Sequence, residues 1–202
     1  MNEPVLAERP AFRERLRDKL PEILIEAASV VLALLLALAV NDWRDREQEN
    51  ERAAIAREAI VAELRANQQE IESAHLALTR IVASLQGAMD DSKPAAHELN
   101  VDMGISLLSA AAWRAALATQ AVRRIDFAWM TRIAKVYELQ DNFLRMQNVA
   151  IDQLSGLPLG GGASGKQVAA MLIPRFSALD QLARGLSGSY AEALGAPANS
   201  PR

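Results

Sequence analysis

The chain contains no cysteine. That removes disulfides, thiolate catalysis and thiolate metal sites, but leaves the compartment open. Aromatic residues are scarce at 4%, with three Trp, two Tyr and four Phe. Sheets favour aromatic and β-branched side chains, so this scarcity, beside abundant alanine and leucine, points to helices. The only histidines are His75 and His97. They form no H-x-x-x-H or H-x-x-E-H grouping, and Glu70 is too far from His75 in helical phase to share its face. Neither a metal site nor a cofactor is expected. A basic surplus is also missing, since the formal net charge is −3. Nucleic acid is therefore not suggested as a partner.

One long apolar run stands out, PEILIEAASVVLALLLALAVNDWRD from Pro21 to Asp45. Between Ala27 and Val40 nothing is charged, and Ser29 is the only polar side chain. As a helix, Pro21–Val40 would reach about 30 Å, the thickness of a bilayer core. Pro21 suits a first helical turn, and Trp43 suits the membrane interface. Glu22 can lie among headgroups. Glu26 is costly inside the span unless water, a partner or protonation helps. Glu26, Ser29, Ala33, Ala37 and Val40 share a face, and its small residues permit close contact with a second copy. Two other readings compete. The strictly apolar stretch is short enough for a buried core helix, and Ala37 with Ala39 gives an A-x-A cleavage arrangement. Against cleavage, the preceding region is long and carries Glu3, Glu8, Glu14 and Asp18, and the helical pattern continues unbroken. A retained anchor over 21–43 is the expectation. Lys and Arg are slightly more numerous before the span (Arg9, Arg13, Arg15, Arg17, Lys19) than just after it (Arg44, Arg46, Arg52). That bias puts the N-terminus in the cytoplasm and the bulk outside it, in the periplasm of a two-membrane bacterium. Residues 1–20 then form an amphipathic cytoplasmic segment, with Phe12, Leu16 and Leu20 towards lipid.

After the span, RDREQENERAAIAREA alternates in charge and reads as a wet helix. A seam follows: Ile60, Leu64, Asn67, Ile71, Ala74, Leu78, Ile81 and Leu85. Its spacing is that of a heptad repeat, which faces either another helix of the chain or another copy. Met89–His97 reads as a loop and Glu98–Ser106 is ambiguous. Ser109 is a cap for a short helix with Trp113 and Leu117, and Asp126 caps a long one. The long helix has its own seam of Met130, Ile133, Tyr137, Gln140, Leu144, Gln147, Ile151 and Leu154. An antiparallel pairing of the two seams is expected, with Gln147 as the amide partner of Asn67. A linker over 155–165 precedes a last helix with Val168, Leu172, Phe176, Leu179, Leu182 and Leu186, which Pro174 starts or kinks. The fold class is all-α: a single transmembrane helix, then an antiparallel helical bundle over 44–194, then a flexible tail over 195–202.

Within the linker, LGGGASGKQ (Leu159–Gln167) resembles most of a phosphate-binding loop. Gly160, Gly165 and Lys166 fit, but Gln167 stands where a hydroxyl should meet magnesium, and no β-branched strand leads in. Flexible chain, with Ser164 capping the next helix, is the preferred reading.

The anchor has a further meaning. Glu26, an apolar core, then Asn41, Asp42 and Trp43 resembles a family of uncharacterised bacterial single-span membrane proteins whose anchors end in an N-N-W-N-type sequence. Asp42 and Arg44 depart from that ending, and Ala33 replaces a frequent mid-core glycine. The later stretch SAAAWRAALATQAVRRIDFAWMTRIAKVYELQDNF is also similar, at Trp113, Ala116, Thr119, Ala121 and Tyr137. The resemblance covers about two thirds of the chain in patches. It implies a membrane-tethered helical domain without an assigned activity.

No nucleophile–base pair or convergent carboxylates are apparent, so no catalytic residues are assigned. Trp113, Trp129 and Tyr137, with Arg123, Arg124 and Arg132, are candidates for a ligand or partner groove. The alternative is that the rings only lock helices together. The expected function is a membrane-anchored, non-catalytic scaffold, adaptor or sensor-like partner-binding protein. Alternatives are a small-molecule or lipid-binding module at the membrane surface and, remotely, a nucleotide-using enzyme. The lipid bilayer, an unknown protein partner and a second copy, through Ile60–Leu85 or the Ser29/Ala33/Ala37 face, are the expected partners.

Overall fold

Alanine, leucine, glutamate and arginine dominate the chain, and all of them favour helix. The computed structural model describes residues 12–90, 104–156 and 165–195. Among the described residues every regular element is helical: α1 (Phe12–Met89), α2 (Ala111–Ala118), a 3-10 turn (Ala121–Arg124), α3 (Phe127–Ser155) and α4 (Gly165–Gly195). The chain divides into two units between Asn50 and Glu51.

In the first unit, Leu24–Val40 is helical and exposed throughout. The helix is long and apolar enough to cross a membrane, and none of its apolar window is buried by the protein itself. Helix is already present from Phe12, so Pro21 lies inside α1 rather than in its first turn. Strong helix formers flank Pro21, and the missing N–H removes one bond from a long ladder. Ser29 Oγ donates to the Glu26 carbonyl at 2.7 Å, which satisfies the hydroxyl within the helix. At the end of the apolar stretch Asn41 donates to Asp45, and Arg46 pairs with Asp42 at 2.6 Å.

The second unit holds the core. Ile60, Leu64, Asn67, Ile71, Leu78, Ile81 and Leu85 are each 0–4% exposed. The first heptad seam is thus covered by other parts of the same chain. On α3, Ile133, Tyr137, Gln140 and Gln147 are buried as expected, but Met130, Leu144, Ile151 and Leu154 are only partly buried. The other buried positions are Trp129, Val136, Phe143 and Ala150, so part of the seam is shifted along the helix. On α4 the buried set is Ala169, Leu172, Phe176, Leu179, Ala183, Leu186, Tyr190 and Ala193. Pro174 lies within α4, so it does not start that helix. Asp126 caps α3 by accepting from the Trp129 N–H at 2.8 Å.

The bundle differs from expectation in the direction of one helix pair. Arg57 lies over Trp129, Glu63 meets Tyr137, and Asn67 meets Gln140. Numbers rise together, so α1 and α3 run parallel, not as an antiparallel pair. The antiparallel member is α4: His75 meets Asp180, whereas Gln140, beside Asn67, meets Tyr190. The physical reason lies in the connection. From Gly104 to Arg124 the chain travels back along α1, so α3 starts again near the end where the bundle began. Leu107 N–H points to Glu70, Ser109 to Asn67 and Glu63, and Ala112 to Glu63. Gln120, in the left-handed region at φ 57°, then turns the chain from α2 into the 3-10 turn. Residues 1–11 of the expected amphipathic segment, the loop around His97, most of the 155–165 linker and the tail after Gly195 lie outside the described residues.

Candidate functional site

A buried polar network is the most chemically dense part of the bundle. It forms around an extended strap, Gly104–Ala110, wedged between α1 and α3. Asn67 Oδ1 accepts from the Ser109 N–H at 2.9 Å while its Nδ2 donates to the Ser109 carbonyl at 2.7 Å. Gln147 does the same for Ser106, at 3.0 Å and 3.2 Å. Each amide grips one residue at both of its backbone polar atoms. Gln140 Nε2 adds a bond to the Ser109 carbonyl at 3.0 Å. Its Oε1 accepts from Asn67 at 3.1 Å and from the Tyr190 hydroxyl at 2.6 Å. Buried backbone groups must find partners, and here side-chain amides replace the neighbouring strand of a sheet. The strap alternates accordingly. Ser106 and Leu108 point inward, while Ile105 and Leu107 are 60% and 82% exposed.

Glu63 anchors the next turn of chain. Helix α2 begins after Ala110, which offers no capping side chain. Its free N–H groups at Ala112 and Trp113 instead donate to the Glu63 carboxylate, at 2.9 Å and 3.4 Å. Ser109 Oγ and Tyr137 Oη donate to the same carboxylate at 2.7 Å and 2.6 Å. The carboxylate thus caps α2 from another helix, where the helix dipole also favours negative charge. Burial alone would raise the Glu63 pKa, but these hydrogen bonds outweigh it and hold the carboxyl below its usual range. Tyr137 is shifted upward by burial and by its bond to the Glu63 carboxylate. Burial likewise raises Tyr190. A carboxylate with four donors has its acceptor positions filled. A tyrosine held neutral is a poor base. The cluster is built to hold chain in place.

The structure separates the residues expected to line a groove. Trp113 and Tyr137 do come together, stacked with centroids 5.3 Å apart and planes 15° apart. Trp129 is buried elsewhere, with the Arg57 guanidinium 5.0 Å above its ring. Arg123, Arg124 and Arg132 are all exposed. The stacked pair is part of the Glu63 cluster, so its rings lock α2 onto α3. Glu63, Ser109 and Tyr190 belong to the network although nothing in the local sequence marks Glu63. Tyr190 carried a signal, since it continues the α4 seam one step beyond Leu186.

Other candidates for chemistry are simpler. His75 Nδ1 lies 2.7 Å from Asp180 Oδ1, and Thr79 donates to the same oxygen at 3.1 Å. Arg184 stands 3.7 Å from the other Asp180 oxygen. No group of three metal-ligating side chains occurs among the described residues. Ahead of the glycine-rich segment, α3 continues to Ser155, so a helix leads in where a phosphate-binding loop needs a buried strand. Gly160–Ser164 lie outside the described residues, while Lys166 and Gln167 are in the first turn of α4. A groove of about 490 Å³ lies between α1 and α2, lined by Arg52, Ile55, Ala59, Ala115 and Thr119 among others. Comparison with family models, with curated proteins and with solved structures returns no match in any of the three.

Proposed function

We propose that this chain is a single-span membrane protein whose helical bundle acts as a non-catalytic scaffold, adaptor or sensor-like partner-binding module. One observation carries the reading. The large apolar side chains from Leu24 to Val40 are 55–71% exposed on every face of the helix. An apolar surface of that extent needs a non-aqueous surrounding, and a bilayer supplies it. The bundle adds support for binding over turnover, because its acidic, amide and phenolic groups bond to one another and to backbone. The Lys and Arg bias favours a cytoplasmic N-terminus, with the bundle on the outer side of a bacterial inner membrane. The likeness of Glu26, Asn41 and Trp43 to the anchors of uncharacterised bacterial single-span proteins agrees with this reading. The face of Ser29, Ala33 and Ala37 is uncovered in one copy and suits contact with a second.

Membrane fractionation with intact mass tests the reading. The full-length chain should stay with the membranes through carbonate and high-salt washes and dissolve only in detergent. Release by salt alone would sink the integral-membrane claim, and a mature terminus near Val40 would make the segment a cleaved signal peptide. Orientation is checked in this cysteine-free chain with Asn2→Cys and Gln69→Cys. An impermeant maleimide applied from outside should react with the second variant and spare the first.

A further inference from the structure

The groove between α1 and α2 has an unusual lining. Ile55, Ala56 and Ala59 form one wall, and Ala115 and Thr119 form the other. The Thr119 hydroxyl is already committed to the Ala115 carbonyl at 2.8 Å. Almost everything left on the walls is methyl and methylene. Alanine keeps the trough open, and its volume of about 490 Å³ is ample for a slender apolar ligand. The exception is Arg52, which stands at the N-terminal end of the α1 wall. An apolar trough with one cation at its end matches an amphiphile with an acyl chain and an anionic head. Chain length says where such a molecule comes from. Arg52 follows Trp43 by nine residues. Even at full extension that span of chain is about 30 Å, which bounds how far Arg52 can lie from the end of the apolar segment.

We propose that this groove takes one acyl chain of an anionic phospholipid from that bilayer, with the phosphate beside Arg52. The site rests on the membrane reading but is separate from any protein partner. It gives the bundle a second hold on the membrane and makes α2 responsive to lipid charge.

The test uses the full chain in phosphatidylcholine vesicles containing phosphatidylglycerol with a diazirine in its acyl chain. After irradiation, labelled residues are mapped by peptide mass spectrometry. Label within 24–40 reports that the span is in the bilayer. Label within 52–59 and 111–121 reports the groove, and both are expected. Ala59→Leu and Ala115→Leu, at two exposed positions, should fill the trough and abolish groove label while span label persists. Arg52→Gln should lower groove label about fivefold, the factor one cation is worth beside anionic lipid. A diazirine phosphatidylcholine probe should give only that lower level in the native chain. Span label without groove label overturns the lipid site and leaves the membrane reading standing. Absence of label from both regions overturns the membrane reading, and the site with it. Groove label that survives both leucine variants, or that ignores lipid charge and Arg52→Gln alike, also overturns the assignment.

Discussion

Two stretches of the same helix behave in opposite ways. Leu24–Val40 is the more apolar, yet every residue in it is exposed. Ile60–Leu85 is interrupted throughout by glutamate, arginine and glutamine, yet its seam residues are among the most buried of the chain. Amount and arrangement of hydrophobicity therefore carry different information. The amount says that a surface must leave water. The arrangement says which side leaves, and so whether protein can cover it. Apolar residues on all faces of α1 leave no direction for a bundle to pack against. A stripe at every third or fourth position leaves one.

The sharpest way to break this contrast is a matched pair of truncations. Ile71→Ala should cost about 2–5 kcal/mol, because it leaves a cavity in a packed seam. Leu34→Ala should leave bundle stability unchanged. Denaturant titration of the detergent-solubilised chain, followed by Trp113 and Trp129 fluorescence, measures both. Comparable losses at the two sites would show that the apolar stretch packs on the bundle after all.

A smaller effect is expected one position off the seam, at Glu63. Glu63→Gln replaces one acceptor oxygen by an NH2 donor facing the Ser109, Ala112, Trp113 and Tyr137 donors, and should cost about 3 kcal/mol. The same residue should shape the acid limb of stability. Its folded pKa is below the ordinary 4.5, so the unfolded chain takes up the proton first as pH falls. The contribution is full above 4.5 and is lost as pH drops through the folded value. Glu63→Gln should flatten that limb. Tyr137 and Tyr190 are shifted the other way, so their contribution is full below pH 10.0 and declines as pH rises past it. A pH-stability profile of the native chain and the glutamine variant, from 2 to 12, checks both signs on the order of 1 kcal/mol.

The smallest contrast lies between neighbours in the strap. Leu108 points inward and Leu107 outward. Leu108→Ala should cost about 2 kcal/mol, while Leu107→Ser should stay within about 0.5 kcal/mol of the native chain. Equal effects would mean that the strap's alternation has been misassigned.

Much of the fold was legible because burial follows period. The seam from Ile60 to Leu85, the Asp126 cap and the core of α4 were all visible as spacing. The relative direction of α1 and α3 was not, since a heptad pattern reads the same from either end. Only the partner of Asn67 breaks that symmetry: Gln147 is the expected one, but Asn67 meets Gln140, and Gln147 holds Ser106 instead. The strap was opaque for a different reason. Its backbone bonds go to side chains from distant helices, so neither helical nor sheet pairing leaves a local trace. Glu63 was hidden for the same cause. It caps a helix whose first N–H partner is 49 residues away, and next to Leu64 it looks like one more surface charge. The aromatic candidates were half legible. Trp113 and Tyr137 do meet, but Trp129 takes the buried position expected of Met130 and packs away from them.

The amide grip on the strap also bears on the order of synthesis. Asn67 reaches partners 42 and 73 residues further along the chain, and Gln140 reaches Tyr190 a further 50 residues on. As the chain emerges, the apolar face of α1 is made first and is only partly covered until α4 exists. Neither α1 with the strap nor α1 with α3 completes the polar core. Contacts of such sequence separation slow folding relative to simple helical hairpins. A ribosome-bound chain stopped after α3 should therefore remain open to protease at Ile60–Leu85, and become resistant only once Tyr190 has cleared the exit tunnel.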